Sequence, residues 1–219
     1  MATNKQAQDY FKQLYQDVWS NYNIEQFRQN YCENLSARTG DTTFEFENLH
    51  VLLEFNPQRF AYMRPEFHYV EARGDSEICA WFTTCHYDHK NHLALKIKTM
   101  GNYLVRDNKI SQINFLWDQP IDKVMGYQSS IDVDSLIALL PTTLQQLTLA
   151  ELKVFFYLLQ GKTARATALT MHRSTRTIET HVNHIKQKLN LNSIHDITHY
   201  AHALGLISFS DVFNKLIEE

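Results

Sequence analysis

Ser174-Thr175-Arg176-Thr177-Ile178-Glu179-Thr180-His181-Val182-Asn183-His184-Ile185-Lys186-Gln187-Lys188-Leu189 decides how the second half of this 219-residue chain is read. Ile178, Val182, Ile185 and Leu189 recur at helical intervals. At about 100° per residue they form one narrow apolar stripe. Ser174, just ahead of the stripe, is a good helix N-cap. The opposite side carries Arg176, Glu179, Thr180, Asn183 and Gln187. A helix held by one edge and offering such a flank is suited to the DNA major groove. There Arg pairs with guanine, Asn and Gln pair with adenine, and Glu accepts from the cytosine amino group. Arg165, Arg173, Lys186 and Lys188, with the Ser174 and Thr177 hydroxyls, are placed to hold phosphates. An amphipathic helix with a merely solvated polar face has the same periodicity, so the pattern alone leaves both readings open.

Outward from this segment the signal stays helical. Glu151 to Gln160 is apolar at Leu152, Phe155, Phe156, Leu158 and Leu159, with Gly161 as its stop. A short helix is expected from about Thr163 to Met171, followed by a tight turn at His172-Arg173. Residues 147–207 hold seven basic side chains against three acidic ones, whereas residues 1–146 hold 13 Lys and Arg against 18 Asp and Glu. A small basic unit behind a larger acidic one suggests a polyanion binder joined to a sensor or partner domain.

Leu147-Thr148-x-x-Glu151-x-x-Val154, Leu158-Leu159-x-Gly161 and Ser174-x-x-Thr177-Ile178-x-x-His181-Val182-x-x-Ile185-x-x-Lys188-Leu189 together resemble the LuxR-type helix-turn-helix domain. The likeness covers about Leu147 to Ile207. It implies four helices, the third entering the major groove, with base contact falling on Glu179, Thr180 and Asn183. It also implies that the last helix, from about Ile194 to Leu204, dimerises, so the expected partners are duplex DNA and a second copy of the chain. Three positions depart from the family pattern. Thr167 stands where a buried Ile is usual, Glu179 where a basic residue is frequent, and Asn190 where Gly is usual.

The first half has a different texture. Tyr10, Phe11, Leu14, Tyr15 and Val18 recur at helical spacing, and Asn23 is a plausible cap for a second helix over Ile24 to Tyr31. Residues 47–60 allow a short helix that Pro57 must interrupt or end. Phe67 to Arg73 and Glu77 to Tyr87, joined at Gly74-Asp75, read as a hairpin. Leu93 to Val105 and Ile110 to Trp117, joined by Arg106 to Lys109, read as another. Helices followed by long antiparallel strands give an α+β fold. Asp132 to Leu140 is a further short helix capped by its Asp, and Pro141-Thr142-Thr143 reads as a linker. The expected domains are therefore 1–124, a connecting segment 125–146, and 147–219.

Asp17-Val18-Trp19, Asn23-Ile24, Gly74 to Trp81 and Gly101-x-Tyr103-Leu104-Val105-x-Asp107-Asn108-Lys109-Ile110 resemble, in order and spacing, the SnoaL-like (nuclear-transport-factor-2-like) cone over about Gln6 to Gln119. That likeness implies a curved antiparallel sheet around helices with a cavity at the wide end. Trp19, Trp81, Thr83, His86, Tyr103, Phe115, Trp117 and Asp118 are the candidate lining for a small-molecule ligand. The same aromatics could simply fill a core. Isomerases and cyclases of this type move protons with a pocket Asp or His, so an Asp118–His86 pair is the enzyme alternative. A partner-binding scaffold is the other.

Composition narrows the field. Six glycines in the whole chain, none spaced as a phosphate-cradling loop, disfavour nucleotide-cofactor chemistry. Cys32, Cys79 and Cys85 read as free thiols, Met1 to Tyr10 is polar, and no long apolar run is present, so a cytoplasmic protein without a membrane span is expected. Cys85 to His92 offers metal-ligand residue types but sits where a solvated turn belongs. No metal and no cofactor is expected in the chain.

Overall fold

Phe11, Leu14 and Val18 all point into protein, and their spacing makes Asn4–Trp19 the helix α1 of a computed structural model that describes residues 4–39, 42–118, 133–209 and 213. Tyr22 turns the chain at φ 52°, and the Asn23 side chain accepts from the Gln26 N–H at 3.1 Å to start α2, Ile24–Asn30. Next come β1 (Tyr31–Thr39), β2 (Thr42–Glu45), α3 (Phe46–Arg59), β3 (Tyr62–Arg73), β4 (Glu77–Tyr87), β5 (Leu93–Arg106) and β6 (Lys109–Trp117). The chain divides into two compact units between Ser135 and Leu136. The boundary expected at 124/125 and the cap at Asp132 lie outside the described residues.

The six strands form one sheet in the order β2-β1-β6-β5-β4-β3. Every pairing is antiparallel except β1 with β6, which is parallel. The sheet is therefore mixed rather than antiparallel throughout. The expected hairpins are present, and Asp107 and Asn108 both take positive φ (51° and 60°), as a two-residue turn between twisted strands demands. Pro57 neither interrupts α3 nor ends it at once: the helix runs two residues further, to Arg59. A proline in the last turn removes one hydrogen bond just where the helix is ending anyway.

Alternation sorts β4 into two faces. Ala80, Phe82, Thr84 and His86 share one parity, and Ala80 and Phe82 belong to the main core with Phe11, Phe27, Tyr31 and Tyr103. Cys79, Trp81, Thr83 and Cys85 take the other parity and are also buried, Trp81 beside Tyr69. Within β5, Gly101 lies beneath the Tyr103 ring. A Cβ there would stand 2.9 Å from Tyr103 Cε2.

The second unit begins within α4 (Val133–Ala138) and continues through α5 (Thr142–Gln145), α6 (Leu149–Leu159), α7 (Ala164–Thr170), α8 (Thr175–Leu189), α9 (Ile194–Ala203) and a 3₁₀ turn, Leu206–Phe209. The expected linker Pro141-Thr142-Thr143 instead caps and opens α5, whose Leu144 is fully buried. Side chains cap the next four helices: Thr148 for α6, Thr163 for α7, Ser174 for α8 and Ser193 for α9. Asn190 ends α8 in the left-handed conformation (φ 55°), the service glycine usually performs. Among the described residues no helix is long and apolar enough to cross a membrane.

Gly101→Ala should destabilise the N-terminal unit by about 1–3 kcal/mol through overpacking against Tyr103. In a Tyr103→Ala background the same change should cost almost nothing. Urea unfolding of the four variants measures the coupling.

Candidate nucleic-acid interface and ligand cavity

Helix α8 is held as its stripe requires. Ile178, Val182, Ile185 and Leu189 are buried, while Arg176, Glu179, Thr180, Asn183 and Gln187 are exposed along the other flank. The Thr180 hydroxyl donates to the Arg176 carbonyl (3.0 Å). Ser174 caps the helix by accepting from the Thr177 N–H at 3.1 Å, and the two hydroxyls stand 2.8 Å apart. Arg165 on α7 and Arg173 in the preceding turn are exposed, and Lys186 is half-buried. His172, at φ 51°, makes the turn tight enough to bring α8 back across α7.

Lys188 does not join this set. Its ammonium sits 2.7 Å from Glu151 Oε2 and also donates to the Gln146 carbonyl at 3.2 Å. Glu151 is buried and closes the α6 capping box by accepting from the Thr148 N–H at 2.8 Å. Burial works to raise the Glu151 pKa. The hydrogen bonds from Lys188 and Thr148 outweigh it and hold the carboxyl below its ordinary value. Lys188, expected to hold a phosphate, here ties α8 to α6.

The N-terminal unit contains a cavity of about 90 Å³. Trp19, His86, Tyr103, Phe115 and Trp117 line it, five of the eight expected residues. Trp81 and Thr83 do not, because strand parity puts them on the far face of β4, where Thr83 Oγ1 meets His68 Nε2 at 2.8 Å. Asp118 lies past the end of β6, and its carboxylate accepts from the Lys98 N–H at 2.8 Å. The Asp118–His86 pair of the enzyme alternative is not brought together. Reading parity outward from His86 would have removed Trp81 and Thr83 from the expected lining. Tyr22, Tyr31, Asn56 and Arg59 also line the cavity, from a turn, from β1 and from α3, and nothing in their local sequence announces it.

His86 is the polar centre of this cavity. Its Nδ1 meets the Tyr22 hydroxyl at 3.1 Å and its Nε2 meets Thr84 Oγ1 at 3.2 Å. A neutral imidazole donates from one nitrogen and accepts at the other, so both hydroxyls are served in either tautomer. Burial above all, then the nearby Arg59 charge, pushes the His86 pKa down from 6.5 to about 4. Nearby, the Trp19 indole donates to the Tyr31 hydroxyl at 2.9 Å. The Cys85 to His92 segment ends β4 and turns: Asp88 accepts from the backbone N–H groups of Lys90 and His92, both at 2.8 Å.

Residues 145–201 match the family described as "Bacterial regulatory proteins, luxR family". No curated protein matches the chain. Among solved structures, wild-type IdmH from Streptomyces antibioticus, a candidate polyketide cyclase, is 12% identical with a TM-score of 0.42, over 52% of this chain and 92% of its own. A SnoaL-like candidate polyketide cyclase from Jannaschia sp. CCS1 is 10% identical with a TM-score of 0.44, over 60% of this chain and 97% of its own. An LEH-like epoxide hydrolase from M. tuberculosis is 14% identical with a TM-score of 0.44, over 52% of this chain and 84% of its own.

His86 makes the N-terminal unit acid-sensitive. Its folded pKa lies below its unfolded value, so the unfolded chain takes up the proton first. Stability from this group is full above pH 6.5 and falls as the pH drops toward about 4. The loss should reach about 3 kcal/mol at about 1.36 kcal/mol per pH unit. Urea unfolding at stepped pH measures the slope, and His86→Gln should flatten it.

Proposed function

We propose that the chain is a LuxR-type transcription regulator that acts in the cytoplasm as a homodimer and reads duplex DNA with α8. One observation carries this reading: the apolar stripe of α8 is buried and its polar flank is exposed, within the segment that matches the luxR family. Arg176, Glu179, Thr180, Asn183 and Gln187 would face base edges. Arg165, Arg173, Ser174, Thr177 and Lys186 would hold phosphates and set the register. A carboxylate at Glu179 repels phosphate, so its place is toward a cytosine amino group. Two copies related by a two-fold axis would bind half-sites about one helical turn apart.

The N-terminal unit would supply the signal. Its cavity is walled by aromatic rings and has a few polar groups, Tyr22, Thr84 and His86 among them, which suits a small and largely apolar ligand. His86 is held neutral at ordinary pH and would orient such a ligand by one hydrogen bond. Binding there would shift the freedom or spacing of the two DNA-binding heads.

Duplexes enriched from a random pool test the DNA claim. Asn183→Ala should relax the base preference at one position, worth about 1–3 kcal/mol of discrimination. Lys186→Ala should weaken all duplexes alike and reduce the log–log salt slope by about 1. Lys188→Ala should lower the unfolding temperature of the C-terminal unit and leave the salt slope unchanged. A Lys188→Ala slope that falls as far as that of Lys186→Ala contradicts the structural role given to Lys188.

A further inference from the structure

Glu151 on α6 and His181 and His184 on α8 each bring one ligand-type atom to a common point, all within 4.8 Å of one another. Among the described residues this is the only group of three or more such side chains so placed. We propose that it is a binding site for a divalent transition metal of the zinc class, bridging the DNA-reading helix to α6.

Three observations support the assignment. First, His181 carries a buried Nδ1 with no hydrogen-bond partner, an uncommon state for a polar atom, in the same imidazole that contributes to the cluster. Second, His184 Nδ1 lies 3.4 Å from Glu151 Oε1. Bonds of about 2.0–2.1 Å in a tetrahedron set neighbouring ligand atoms about 3.4 Å apart, so this pair already stands at the spacing zinc requires. Third, the two oxygens of Glu151 divide their work. Oε2 takes Lys188 and the Thr148 N–H, whereas Oε1 faces His184.

Two imidazoles and one carboxylate favour zinc, copper or nickel over magnesium and calcium, which prefer oxygen ligands. His184 is half-exposed, so the ion has an entry path, and water would complete the coordination. The Lys188 side chain is one-third exposed, and its ammonium donates to Glu151 Oε2 rather than to the Oε1 that faces His184. His181 and His184 flank Asn183, so a bound ion would fix the part of α8 proposed to meet the bases. The site itself rests on these side chains and not on the DNA reading.

The exposed His195–His199 pair on α9, whose Nε2 atoms stand 2.9 Å apart, offers two ligand-type nitrogens at i,i+4 spacing and is removed first so that it cannot confuse the titration. The full chain carrying His195→Ala and His199→Ala is stripped with a chelator and titrated with Zn²⁺ by calorimetry, with and without His184→Ala. His184 is half-exposed but also engages the buried Glu151, so the unfolding temperature of each metal-free variant is measured first to check that the fold survives its loss. The proposal expects one Zn²⁺ per chain in the background protein and at least tenfold weaker binding once His184 is replaced. Excess Mg²⁺ should not compete, and Zn²⁺ should raise the unfolding temperature only where His184 is present. Equal zinc affinity with and without His184, or no zinc binding in the background protein, overturns the proposal.

Discussion

Four side chains on one edge of α8, Ile178, Val182, Ile185 and Leu189, set which way the rest of that helix faces. Burying side chains of this size contributes roughly 1.5–3 kcal/mol each. Rotating the helix to hide its polar flank would expose all four at once and bury Arg176, Glu179, Asn183 and Gln187 without partners. The outward flank is therefore a consequence of packing, and its chemistry is left to whatever approaches from solvent.

Glu151 adds a second constraint on the same helix. A buried carboxylate is tolerable only when its oxygens are satisfied, and this one is engaged at both: by the Thr148 N–H and Lys188 at Oε2, and by His184 at Oε1. The arrangement cross-links α6 to the last turns of α8 and draws Lys188 out of the basic surface. A lysine near the C-terminus of a recognition helix reads as a phosphate contact until its partner is known. Here the partner lies 37 residues earlier in the chain, beyond what helix periodicity can show.

Much of the fold was legible because its signals are local. Asn23, Thr163, Ser174, Gly161 and Asn190 mark helix ends through their own side chains or backbone freedom, and Asp107-Asn108 marks a tight hairpin in the same way. What stayed hidden depends on distant partners. β1 carries only an irregular inward pattern, broken by a register shift between Tyr31 and Ser36, and its parallel pairing with β6 joins segments far apart in sequence. In the cavity, aromatic identity picked out Trp19, Tyr103, Phe115 and Trp117. It also admitted Trp81, which parity turns to the other face of the sheet. Tyr22 and Arg59 reach the cavity from a turn and from a helix end, positions no periodicity singles out.

The account turns on how α8 meets a duplex. The most direct measurement is the structure of the full chain bound to the duplex it enriches. We expect α8 to lie in the major groove with the Asn183 side chain on a base edge and the Arg173 guanidinium at a phosphate. A duplex seated on another face, with Thr180 and Asn183 still in water, contradicts it.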